Sequence, residues 1–279
     1  MLSKTLFLLT SFAGAATAAP PCRPRSSEVS SAVPTSTVAG SAPTPTLPST
    51  GATDLAGPPA GLVLKKIAVG HGIQNYTCAN SSASTTATGA LAVLYDITTL
   101  YPGTAATGLS EFAWAGLPST VLWSQDLPLN LNNSTAAAPG TPDSPNDLPE
   151  TAYGATSDPF PSPADLVLGE IAPAAFLGHH FFDTAGTPNF DLASTSGLYF
   201  IGAKTGSVSA PPTADAGVLG TGAVAWLQLT DNGSGRSQGL SYVYRVLTAG
   251  GNPHTCADAG AGAGSVPYAA MYWFYGSSS

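Results

Sequence analysis

Val266-Pro267-Tyr268-Ala269-Ala270-Met271-Tyr272-Trp273-Phe274-Tyr275 decides the fold. In an extended chain side chains alternate, so Tyr268, Ala270, Tyr272 and Phe274 share one face and Ala269, Met271, Trp273 and Tyr275 the other. Neither face is polar. A strand written this way must be covered on both sides, which makes it a central strand. Outward from it, runs of the same kind occupy residues 62–69, 73–78, 90–97, 120–123, 179–182, 198–201, 223–229 and 240–247. They are short, rich in β-branched and aromatic residues, and bounded by Gly, Pro, Asn and Ser. The pattern predicts an antiparallel all-β domain, with a two-layer β-sandwich as first choice and a closed β-barrel as second. Residues 109–117 are expected as one short helix capped by Ser110.

Composition narrows the class. The chain has 279 residues, of which Gly 31 and Pro 25 disfavour a helical bundle. A hydrophobic content of 43% against 9% charged residues supports a real core and excludes a wholly disordered chain. Eight Lys+Arg against sixteen Asp+Glu, a net charge of −8, exclude a nucleic-acid binder. Between Lys66 and Lys204 there is no basic Lys or Arg but eleven Asp or Glu, an acidity that serves solubility unless carboxylates converge. Arg245, inside an apolar run, is expected to pair with a carboxylate as a structural residue.

Residues 1–18 read as a secretory signal peptide: Lys4, then Leu6-Phe7-Leu8-Leu9, then the cleavage signal Ala16-Thr17-Ala18. No apolar run has the roughly 20 residues needed to span a bilayer as a helix. The expected location is therefore extracellular, with the cell wall as one destination. Residues 19–60 are expected to stay without fixed structure. From Ser26 to Ala60, 25 of 35 residues are Ser, Thr, Pro or Ala, a composition that suits an O-glycosylated stalk or a bare linker. The domain is expected at 61–276, with 126–165 as a long surface-loop insertion.

In an oxidising compartment Cys78 and Cys256 are natural disulfide partners, because each ends a strand-like run, and Cys22 is left over in the tail. N-glycosylation sequons stand at Asn75, Asn80, Asn132, Asn133 and Asn232. Alternation puts Gln74, Tyr76 and Cys78 on one face, with Asn75 on the other.

Two motifs imitate catalytic ones. Gly70-His71-Gly72 follows a strand-like run, but Asn75 stands where a dinucleotide turn needs its third glycine, and Tyr76-Thr77-Cys78 follows where a helix should begin. Gly235-Arg236-Ser237-Gln238-Gly239 matches a nucleophile elbow in letters, yet it lies in turn chemistry between two strands and reads as a hairpin loop. The histidines offer a further reading. His179 and His180 must face opposite ways, and a Cys78–Cys256 bridge is expected to draw His71 toward His254. His71, His179 and His254 are the candidate set for Cu or Zn, with His180 as the alternative to His179.

Five segments stand out together: Gly72-Ile73-Gln74-Asn75-Tyr76-Thr77-Cys78, Gly178-His179-His180-Phe181-Phe182, Val224-Ala225-Trp226-Leu227-Gln228-Leu229, Tyr244-Arg245-Val246-Leu247-Thr248-Ala249-Gly250-Gly251 with Cys256, and the strand quoted first. In this order they resemble a family of secreted fungal and bacterial proteins known as domain of unknown function 3455. The resemblance implies a secreted β-rich domain without an assigned activity. Some members carry the label malate dehydrogenase, which this sequence argues against: such an NAD-dependent enzyme needs several arginines for its dicarboxylate, and residues 61–276 contain only Arg236 and Arg245. The expectation is thus an extracellular β-rich protein, leaning away from catalysis, that binds polysaccharide through Trp114, Trp123 or Trp226. Its alternatives are a histidine-based metal protein and a surface protein without a ligand. Oligomeric state and substrate carry no sequence signal.

Overall fold

The structure is a computed structural model that describes residues 43–132 and 153–278. Eight antiparallel strands form one sheet: β1 (Leu62–Cys78), β2 (Thr86–Asp96), β3 (Phe176–Phe182), β4 (Pro188–Leu192), β5 (Leu198–Val208), β6 (Trp226–Asp231), β7 (Tyr242–Gly250) and β8 (Gly262–Ser277). Each pairs with the next, and β8 pairs back onto β1, so the sheet closes into an up-and-down barrel. The all-β expectation is met, but of the two architectures the barrel forms and the sandwich does not. The reason lies in β8, which pairs with β1 along its whole length and with β7 over residues 268–275. Closure removes both sheet edges.

The two apolar faces of β8 go to two different cores. Tyr268, Ala270, Tyr272 and Phe274 point inward with Leu94, Leu177, Phe190, Phe200 and Val243. Ala269, Met271, Trp273 and Tyr275 point outward into a second core with Ile67, Val69, Ile73, Val121 and Leu122. That outer layer is supplied by α1 (Glu111–Ala115) and α2 (Leu117–Ser124), two helices where one was expected. Ser110 caps α1, its side chain accepting from the Ala113 N–H. Residues 120–123, expected as a strand, lie in α2, because Leu117, Val121 and Leu122 form one helical face against the barrel. Two further helical turns, α3 (Ala193–Ser196) and α4 (Cys256–Ala259), sit in connections.

The segment expected to stay without structure is partly built into the domain. Leu47 and Leu55 pack on the outer core, the Thr46 N–H donates to the Tyr101 hydroxyl at 3.2 Å, and the Tyr244 hydroxyl donates to the Ala56 carbonyl at 3.0 Å. The insertion likewise is not only surface loop, since Leu127, Leu129 and Tyr153 are buried in that core. Residues 1–18, expected as a signal peptide, lie outside the described residues, as do Cys22 and Asn133.

Glycine permits the closest strand approach. A Cβ on Gly72 would run into the Leu91 carbonyl oxygen of β2, and one on Gly70 would come 2.7 Å from the Tyr272 ring. Gly70 faces inward beside Ala68, so the empty space at that position lets Tyr272 lie across the barrel interior.

Candidate functional site

The barrel interior is filled at one end and open at the other. Leu94, Leu177, Leu192, Phe200, Leu240 and Phe274 pack the filled end. Toward the end that carries the β1 terminus lies a cavity of about 910 Å³, lined by Gln74, Tyr76, His180, Phe182, Phe190, Lys204, Leu227, Leu229, Arg245, Asn252 and Tyr272 among others. An eight-stranded barrel is wide enough either to fill with side chains or to hold one small ligand, and this one does each at a different level.

Arg245 is the unusual group. It shares the inward face of β7 with Val243 and stands directly opposite Tyr272 of β8. Only 8% of it is exposed. Among the described residues no carboxylate pairs with it. Nε and Nη2 instead donate to the Ala225 carbonyl at 3.2 and 2.9 Å. A guanidinium has five N–H donors, and of the three beyond those two at least one faces the Tyr272 hydroxyl. Among the described residues the only ion pair is elsewhere, Lys66 with Asp96 at 2.6 Å. A buried cation without an anion is costly, and nothing in the sheet requires one at this position.

Neutral polar groups surround it. The hydroxyls of Tyr268 and Tyr272 are hydrogen-bonded at 2.8 Å. Burial pushes the pKa of both phenols up, well up for Tyr268, while Arg245 pulls the other way on each. The buried amide Nε2 of Gln74 lies beside the Tyr268 hydroxyl, close enough to lower its pKa but outside good hydrogen-bond geometry. His180 is held rigidly. Its ring stacks on Phe190 at 4.1 Å and 12°, stands edge-on to Phe182 at 5.5 Å, and sits 5.7 Å from the Tyr272 ring. Its Nδ1 is 2.8 Å from the Asn189 carbonyl oxygen, which can only accept, so the proton is on Nδ1 and Nε2 carries the lone pair. Burial brings its pKa down to about 4; the Asn189 bond opposes that and the nearby Arg245 charge adds to it.

The sequence-derived candidates are not gathered at one point. His71 and His179 lie on the outer face in one row with Val93 between them, two strand spacings or about 10 Å apart. His71 is buried, which drops its pKa to about 3. His179 stacks on Phe160 at 4.0 Å and has a lowered pKa from burial, partly offset by Asp191. His254 lies near the bridge between Cys78 and Cys256, where its carbonyl accepts from Thr85. The bridge does not draw His71 toward it: seven residues of extended β1 separate His71 from Cys78, about 23 Å. Among the described residues no three His, Cys, Asp or Glu side chains cluster as a metal site.

Other expectations resolve simply. The Cys78–Cys256 disulfide is formed. Trp114 and Trp226 are buried, and the Trp123 indole donates to Asp215 at 2.7 Å, so Trp114 and Trp226 offer no exposed platform for a sugar. Asn80, Asn132 and Asn232 are exposed, and Asn75 is half-buried, accepting from Ser265. Gly70-His71-Gly72 continues β1 instead of turning into a helix. Ser237 lies between β6 and β7, its hydroxyl donating to Asp231 at 2.6 Å. Among the described residues no helix is long and apolar enough to cross a membrane.

Sequence reasoning missed the lumen. Gln74, Phe182, Phe190, Tyr268 and Tyr272 were not singled out as site residues, and Arg245 was read as structural. The available signal was parity: Arg245 falls on the same strand face as Val243, and Gln74 on the same face as Tyr76.

One family model, described as protein of unknown function (DUF3455), matches residues 58–276, and the chain belongs to that family. No curated protein and no solved structure matches the chain.

Proposed function

We propose that this DUF3455 protein is a secreted binding protein whose barrel lumen takes a small amphiphilic carboxylate. The observation that carries this is Arg245: a buried guanidinium with no anionic partner among the described residues, facing a cavity with both apolar and polar walls. A ligand carboxylate supplies the missing charge, and Phe182, Phe190, Leu227 and Leu229 cover its apolar body. Gln74 Nε2 offers one more donor. Secretion is supported by the signal-like residues 1–18 and by a disulfide, which persists in oxidising compartments.

Calorimetric titration of the full chain with cinnamate, hexanoate and the matched neutral cinnamyl alcohol tests the reading. At least one acid is expected to bind about 30-fold or more tighter than the alcohol, with that margin lost in Arg245→Met, since truncating one partner of a buried charge pair costs 2 kcal/mol or more. Equal binding of acid and alcohol, or no binding of any probe, removes the proposal.

A further inference from the structure

We infer that the lumenal ligand is an aromatic acid carrying a hydroxyl whose proton is donated to Nε2 of His180. This rests on the carboxylate reading above and narrows it. Beside Arg245 the cavity wall offers donors, the guanidinium itself and the amide Nε2 of Gln74, and groups such as Thr187, Ser207 and Asn252 whose oxygens can accept. His180 differs from these in presenting a nitrogen that, with Nδ1 protonated, can only accept. Its role is fixed by structure two layers deep. The Asn189 carbonyl takes the Nδ1 proton at 2.8 Å. Asn189 is itself tied at both ends of its side chain, donating to the Thr187 carbonyl at 2.8 Å and accepting from the Tyr199 hydroxyl at 3.0 Å. The imidazole plane is clamped against Phe190. It can neither turn over nor present an N–H to the ligand without breaking the Asn189 bond.

Cation and acceptor both neighbour one residue: Arg245 is the cross-strand partner of Tyr272, and the Tyr272 ring is 5.7 Å from His180. Phe182 with Phe190 gives a ligand ring an aromatic wall beside them. A long flexible tail is less well accommodated, because the filled end of the barrel closes the lumen below Phe190.

The experiment compares 4-hydroxycinnamate, cinnamate and 4-methoxycinnamate by calorimetry on the full chain. Wild type is expected to bind the hydroxy acid about 30-fold or more tighter than the methoxy acid, because a site built around a hydrogen bond rejects the analogue that cannot make it. His180→Phe should reduce that ratio to within about 3-fold. His180→Gln, whose Oε1 can accept, should retain part of the preference. Should the three acids bind wild type equally, yet still depend on Arg245, the hydroxyl inference fails and the carboxylate reading survives. If no acid binds, or if Arg245→Met changes nothing, both fail.

Discussion

Lowering the pH from 7.5 to 5.0 should destabilise this protein by about 4 kcal/mol, and the two fully buried histidines set the size of the effect. His71 and His180 are 1% and 4% exposed, and burial holds their folded pKa values at about 3 and about 4. In the unfolded chain each titrates near 6.5. Below that value the unfolded state takes up a proton that the fold refuses, so stability falls as pH drops toward the folded pKa. At pH 5.0 the unfolded imidazole is mostly protonated and the folded one is still mostly neutral, which costs about 2 kcal/mol per histidine, or about 4 for the pair. His179, lowered by burial, adds in the same direction. Asp96, where burial pushes up but Lys66 and Thr98 hold the net value low, loses its contribution only at more acid pH. The sign discriminates: a chain with net charge −8 loses self-repulsion on mild acidification, which by itself favours the fold. Urea unfolding followed by tryptophan fluorescence at the two pH values measures the difference, and two-state behaviour is checked at each. In His180→Gln the difference between pH 7.5 and 5.0 should shrink by about 2 kcal/mol whatever the variant's absolute stability, because packing costs cancel within one variant. A wild-type difference below about 1 kcal/mol, or one untouched by removing His180, refutes the reasoning.

Other outcomes follow from single contacts. Gly72→Ala places a methyl against the Leu91 carbonyl at the β1–β2 seam and should cost about 3 kcal/mol or more, read as a lowered urea midpoint. A wild-type midpoint would mean the strands separate freely there. Replacing Cys78 and Cys256 by Ser together opens a loop with a sequence separation of 178, for which chain entropy allows a loss of up to about 5 kcal/mol. Dithiothreitol should move the wild-type midpoint toward that of the variant and leave the variant unmoved. Arg245→Met should leave the ligand-free protein as stable as wild type or about 1 kcal/mol more so, because it replaces an unpaired buried charge with an apolar chain. A loss above about 2 kcal/mol would show that the Ala225 contacts make Arg245 a structural residue.

Much of this protein is written locally. Seven of the eight strands grow from runs whose alternation or apolar character is visible in the chain, and the disulfide joins Cys78 at the end of β1 to Cys256 at the start of α4. The strand β4 was missed because Pro-Asn-Phe-Asp-Leu carries little β signal of its own, being held between β3 and β5 by its neighbours' hydrogen bonds. Residues 120–123 went astray for the converse reason. Their β-branched and aromatic content was outweighed by a helical face that covers the barrel. Alternation also told that β8 is covered on both faces, but not by what. A sandwich and a clad barrel demand the same two apolar faces of a central strand, and only the pairing of β8 with β1 distinguishes them. The site belongs wholly to that closure. Arg245, Tyr272, Gln74 and His180 come from four strands, and no spacing along the chain records that they face one lumen. The sequence by itself determined which side of each strand is apolar, because that depends on neighbours two residues apart. The tertiary structure alone decided that Arg245 meets a cavity, because that depends on which distant strands the closing sheet brings opposite it.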